Sequence, residues 1–103
     1  MFSIYDVRLL CREGKIKWSL HVSERLRKRD ISPDDVINCL MYGEIIEEYP
    51  DYWLNPAALI FGHKLNNQII HVVVGMDDYL HIVTAYYPNP KKFEPDFKTR
   101  RRQ

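Results

Sequence analysis

Val7, Leu10 and Cys11 recur at helical spacing behind Ser3 and Asp6, and Gly14 follows them. A serine followed three residues later by an acid marks a helix start, and a glycine just past the last apolar position marks its stop. A serine cap ahead of a helical run recurs twice. Ser19 precedes Val22 and Leu26, with Lys15–Trp18 before it reading as a connector or a short strand. Ser32 then serves as N-cap, Pro33 takes the first helical position, and Asp34 and Asp35 complement the positive end of the helix dipole. Val36, Ile37, Leu40 and Met41 follow at helical spacing until Gly43.

From Glu44 the period shortens to two. Glu44–Tyr49 reads as an edge strand, because it is rich in acids and runs into Pro50. Ala57–Leu65, Gln68–Met76 and Tyr79–Tyr87 are β-rich runs, joined by Asn66-Asn67 and by Asp77-Asp78 as hairpin turns. The expected fold is α+β: three N-terminal helices on one face of a mainly antiparallel four-stranded sheet, in one domain over residues 1–103. Residues 91–103 form a basic C-terminal tail that Phe93 and Phe97 are placed to pin to the body.

The chain has 46% hydrophobic and 28% charged residues, the composition of a folded globular protein. No apolar run approaches the ~18 residues of a membrane span, and the N-terminus has no signal pattern, so a cytoplasmic protein without membrane association is expected. Cys11 and Cys39 lack CxxC spacing and a neighbouring His, which argues against zinc and for reduced, packed thiols. Net charge is only +1, but it is partitioned. Residues 1–30 hold eight Lys/Arg against four acids, residues 31–90 one against eight, and residues 91–103 six against two. The two basic ends either converge into a positive patch or pair with the acidic middle.

Candidate chemistry starts on the second helix. His21, Arg25 and Arg29 stand four residues apart, so they drift by only ~40° per step and form one stripe, which Lys28 joins. Arginine supplies a planar bidentate fork for phosphate and histidine titrates near neutrality, although a solvated basic face has the same pattern. His71 shares a strand face with Ile69 and Val73, as a structural imidazole or as a general acid or base. Tyr86, alternating with Thr84, Ile82 and Leu80, offers a ring for stacking and a hydroxyl for a phosphate oxygen. Because Val22 and Leu26 must face the sheet, the stripe is expected to meet His71 in a partly exposed basic cleft. Glu47, Glu48 and Asp51 read as a solubility device on an edge strand. The chain has no glycine-rich phosphate loop, HExxH motif or nucleophile elbow, and no metal or cofactor is expected.

The succession I-K-W-S-L-H21-x3-R25-x3-R29-D-I-S-P-D-D-V, G43-E-I-I-E-E-Y-P, L-I-F-G62, I-I-H71-V-V-V, I-V-T84-A-Y86 and F-E-P-D-F-K-T-R-R resembles the DUF4258 family over nearly the whole chain. The family has no established general function. Its size and helix-then-sheet order resemble those of small bacterial toxins of the BrnT and RelE kind, and members commonly occur beside MqsA/YgiT-type antitoxins that carry a zinc finger. The resemblance implies a metal-independent endoribonuclease, the toxin of a type II toxin–antitoxin pair, with RNA and such an antitoxin as partners. The alternative is a non-catalytic protein- or RNA-binding module. In the first reading Arg25 and Arg29 clamp phosphate, His71 or His21 transfers the proton, and Tyr86 stacks or donates a proton. Lys28, Arg29, Arg100 and Arg101 then bind the RNA backbone.

Overall fold

The computed structural model describes residues 1–52 and 54–102; the last residue of the basic tail, Gln103, lies outside it. Three helices lead, α1 (Ile4–Arg12), α2 (Leu20–Lys28) and α3 (Pro33–Tyr42), with a two-residue strand β1 (Ile16–Lys17) between the first two. The strands β2 (Glu44–Tyr49), β3 (Ala57–His63), β4 (Ile69–Met76) and β5 (Leu80–Tyr86) follow. All three serines are N-caps. Ser3 and Ser32 each form a full capping box, with Asp6 and Asp35, and Ser19 accepts from the Val22 amide. Gly14 has φ +70°, the left-handed conformation that reverses the chain after α1, and Asp30 at φ 56° does the same after α2.

The sheet has five strands in the order β1-β5-β4-β3-β2, where four were expected. The β2–β3, β3–β4 and β4–β5 pairs are antiparallel, but β1 lies parallel to β5 through Ile16–Leu80 and Lys17–His81. Two residues are too few to show a period, so only the chain's return from α1 to the sheet edge makes them a strand. Both hairpin loops run longer than their central dipeptides. Lys64 and Gln68 close the first around Asn67 at φ 70°, and Met76 pairs with Leu80 across the second.

The helices pack on one sheet face. Val7, Val22, Leu26, Val36, Cys39 and Leu40 meet Ile60, Ile70, Val72, Val74, Leu80, Ile82 and Ala85 in one buried cluster. The opposite face is covered by the tail, pinned by Phe93, which is 2% exposed. Burial of a phenylalanine side chain stabilises by ~1.5–3 kcal/mol, which offsets part of the chain entropy lost when the irregular segment is ordered.

Two bulges decide which side chains reach that second face. In β2, Ile45 pairs with Ile60 and Glu47 with Leu59, so Ile46 is the extra residue. Ile45 therefore faces the helices while Glu47 and Tyr49 face the tail. In β5, Ile82 pairs with Val74 and Thr84 with Val73, so Val83 is extra. Thr84 and Tyr86 consequently leave the side of Leu80 and Ile82, with which simple alternation had grouped them. A bulge inverts the facing of every later residue in its strand.

Candidate functional site

The tail-covered face gathers the polar chemistry of the molecule around His71. Its ring is fully buried and meets Phe93 edge-on at 4.7 Å, Tyr86 at 5.5 Å and Phe61 at 6.2 Å between centroids. Nε2 stands 2.6 Å from the Phe97 carbonyl. A carbonyl only accepts, so Nε2 carries the proton and Nδ1 is the bare nitrogen of a neutral imidazole. That Nδ1 is buried and has no hydrogen-bond partner among the described residues. Burial pushes the His71 pKa down, outweighing the opposing bond to Phe97 and the attraction of Glu47, so the ring is neutral at pH 7.

Beside it lies an ion pair that joins the edge strand to the tail. Arg100 donates from Nε to Glu47 Oε2 at 2.6 Å and from Nη2 to Oε1 at 3.1 Å, and its guanidinium lies over the Phe93 ring at 4.8 Å. This two-pronged geometry is the one arginine also uses toward phosphate. Tyr49 donates its hydroxyl to the same carboxylate. Burial raises the Glu47 pKa, but the bonds from Arg100 and Tyr49 overcome it and hold the carboxyl below its ordinary range. Burial and the Glu47 bond together push Tyr49 up to about 12, and burial raises Tyr86. Lys98 completes the group, 3.3 Å from Glu44 and over the Phe61 ring. Among the described residues, no group of three His, Cys, Asp or Glu side chains is arranged to hold a metal ion.

The family model described as "Domain of unknown function (DUF4258)" matches residues 18–90, about seven tenths of the chain. The chain belongs to the DUF4258 family. No curated protein and no solved structure matches it. Glu47, His71 and Tyr86 lie within the matched DUF4258 segment, whereas Phe93, Lys98 and Arg100 come from the tail beyond it.

This DUF4258 chain splits the site residues expected from sequence into two groups. His71 and Tyr86 occupy the tail face; His21, Arg25 and Lys28 lie exposed on α2, over the other face. The expected cleft joining the α2 stripe to His71 is therefore absent. Its premise, that Val22 and Leu26 face the sheet, holds, but they join the cluster on the sheet face of Ile70 and Val72, the neighbours of His71 that point the opposite way. His21 Nε2 and Arg25 Nη2 approach to 2.9 Å at the surface. Arg29 instead reaches the β5 edge beyond β1, donating to the Ala85 carbonyl at 2.7 Å and to Thr84 Oγ1 at 3.3 Å. Arg101 is engaged within the tail, with the Pro90 carbonyl and Glu94. Of the two charge arrangements considered, the tail pairs with the acidic middle, through Lys98–Glu44 and Arg100–Glu47, and does not converge with α2.

Glu47 and Tyr49 escaped the sequence reading, which left Glu47 as a solubilising acid. The signal was present: the doublet Ile45-Ile46 breaks strict alternation, as a bulge requires. No helix among the described residues is long and apolar enough to cross a membrane.

Proposed function

We propose that this protein is a metal-independent endoribonuclease, the toxin of a toxin–antitoxin pair, and that its chemistry belongs to the tail-covered sheet face and not to α2. The observation that carries the reading is a neutral, buried His71 whose Nδ1 has no partner, set among Glu47, Arg100 and Tyr86. Its helix-then-sheet order is, in this reading, that of BrnT- and RelE-type toxins, and a zinc-finger antitoxin is the partner it calls for.

The roles follow from the donors and acceptors. RNA cleavage by transesterification forms a bond from the 2′-oxygen to phosphorus and breaks the bond from phosphorus to the 5′-oxygen. His71 Nδ1 takes the 2′-hydroxyl proton, and the Tyr86 hydroxyl supplies a proton to the departing 5′-oxygen. Arg100 exchanges the Glu47 carboxylate for the scissile phosphate and neutralises the charge that builds on it. Because Phe93 and Phe97 cover His71, substrate entry requires the segment around residues 93–100 to lift from the sheet.

One observation favours the non-catalytic alternative: Arg100 and Glu47 already hold each other through two hydrogen bonds, so the face as it stands is a closed clamp. Incubation of the protein with labelled single-stranded and structured RNA in EDTA, with and without ribosomes, separates the two. The nuclease reading expects cleavage leaving 2′,3′-cyclic phosphate ends. Arg100→Ala should lower the rate by about 100- to 1,000-fold, the usual cost of removing one donor to a developing anion. Arg25→Ala should leave kcat unchanged. Absence of cleavage under every condition moves the assignment to a binding module.

A further inference from the structure

α2 carries three cations that the rest of the molecule leaves without a counterion. Arg25, Arg27 and Lys28 are exposed, and none pairs with a carboxylate among the described residues. Glu24 stands four residues before Lys28, the spacing of a helical ion pair, yet the two do not join. The acids Glu44 and Glu47 are taken by the tail, so the charge of α2 stays uncompensated at the surface. None of the three cations has a part in the chemistry assigned to the tail face.

Beside them lies a groove of about 420 Å³ between α2 and the turn into α3. Trp18, Leu26, Ile31 and Pro33 give it apolar walls, and the exposed Arg27 and Asp30 also line it. Leu26 and Ile31 belong to the buried cluster, so the groove reaches the edge of the core. At ~100° per residue, the order around α2 from the groove outward is Leu26, Arg27, Lys28 and Arg25. Arg27 also borders a second recess with Glu24 and Lys28, so groove and cations form one continuous path. A helix is ~10–12 Å across and extended chain advances ~3.3 Å per residue, so roughly four residues carry a segment from the groove to Arg25.

The charges along this path favour a peptide over a nucleic acid. A phosphodiester backbone carries a charge at every residue and would meet Asp30 in the groove and Glu24 beside Arg27. A peptide can place its acids opposite Arg27, Lys28 and Arg25 alone, pass Glu24 with a neutral residue and offer Asp30 a backbone N–H. An apolar side chain in the groove then supplies the burial that exposed ion pairs lack.

We propose that this face of α2 docks an acidic segment of a partner protein, extended, with one apolar side chain in the groove and carboxylates over Arg27, Lys28 and Arg25. The surface lies on the helix side of the sheet, so the proposal stands whether or not the tail face cleaves RNA.

The test selects random peptides displayed on phage for binding to the full chain. Enriched sequences should carry an aliphatic or aromatic residue within roughly four positions of two or more acids. The strongest of them, made as a synthetic peptide, should shift the amides of Arg27, Lys28 and Ile31 and bind less tightly as salt rises. Arg27→Glu combined with Lys28→Glu should weaken it by about tenfold or more, because like charges then face its acids. Ser23→Trp changes a groove-lining residue to one of similar helix propensity whose ring can fill the groove, and should block binding without lowering the thermal midpoint. A selection that enriches nothing, sequences without acids, unchanged affinity in the charge-reversed variant or in Ser23→Trp, or shifts confined to the tail face would each overturn the proposal. So would a single-stranded RNA oligonucleotide that shifts the same amides and binds more tightly than the peptide, which would make this a nucleic-acid surface.

Discussion

Replacing His71 by phenylalanine tests whether the centre of the tail-covered face is a neutral imidazole. The substitution keeps an aromatic ring among Phe61, Tyr86 and Phe93 but removes the bond from Nε2 to the Phe97 carbonyl. Loss of that bond costs ~1 kcal/mol net, or up to ~3 kcal/mol if the carbonyl is left dry. Removing the unpartnered Nδ1 from the interior gives back a similar amount, so at about pH 8 the two proteins should differ in stability by no more than ~2 kcal/mol.

The decisive quantity is how that difference changes with pH. The unfolded-chain pKa of His71 is close to 6.5, and burial places the folded value below it. Above 6.5 the ring is neutral in both states and its full contribution is present. As pH falls below 6.5, the unfolded chain binds a proton that the folded one refuses, so stability drops. The limiting slope is ~1.4 kcal/mol per pH unit until the folded pKa is reached. His71→Phe lacks this linkage, so it should gain on the wild type as pH falls below 6.5. Urea unfolding between about pH 8 and pH 5 measures both curves, and taking their difference removes the other histidines. Curves parallel to within ~0.3 kcal/mol, or a wild type that gains on the variant in acid, would refute the argument. The second outcome would mean that attraction to Glu47 outweighs burial and the ring is protonated.

Three further outcomes are expected. A Cβ added at Gly62 would stand 2.6 Å from Cys39 Sγ and 2.9 Å from the Cys39 Cα and carbonyl oxygen. Gly62→Ala should therefore cost about 3 kcal/mol in urea unfolding, at the upper end for overpacking, and Cys39→Ala should not rescue it, because the backbone clash remains; full rescue would disprove this. Tyr87→Phe strips the hydroxyl that joins the nearly buried Lys64 to the end of α2, and should lower stability by ~1–3 kcal/mol; a midpoint unchanged by the substitution would disprove that link. Cys11 and Cys39 are free, and burial pushes their pKa values up to about 11 and about 12. Both should resist alkylation at about pH 8 until urea is added, and a bridge between them in protein purified without reductant would contradict this.

The helices and hairpins were readable because their signals are local. Ser3 and Ser32 each stand three residues before their acid, and each hairpin turn joins adjacent strands, so a short window holds all the information required. The tail's attachment was readable at Phe93, since an aromatic in a charged segment needs somewhere dry to go. Side-chain facing was harder, because it depends on an unbroken count along the strand. One extra residue at Ile46 moved Glu47 and Tyr49 to the face of His71, and one at Val83 moved Tyr86. The Glu47–Arg100 partnership spans 53 residues and joins a bulged edge to an irregular segment, so no periodicity announces it.

Those two bulges give the sheet faces different work. The helix side is held by aliphatic packing, with the α2 cations left at its surface, where single exposed charges contribute little to stability. The tail side is held by one phenylalanine, the bond from His71 to the Phe97 carbonyl, and the ion pairs Lys98–Glu44 and Arg100–Glu47, whose two cations can pass from a carboxylate to another anion. In the ribonuclease proposal, the RNA offers phosphate to Arg100 and Lys98 as they leave their carboxylates. No comparable exchange exists on the helix side, where entry would expose apolar core to water. A face closed by ion pairs whose cations an anion can take over, above an imidazole whose Nδ1 has no partner among the described residues, is where the proposed ligand has chemistry to meet.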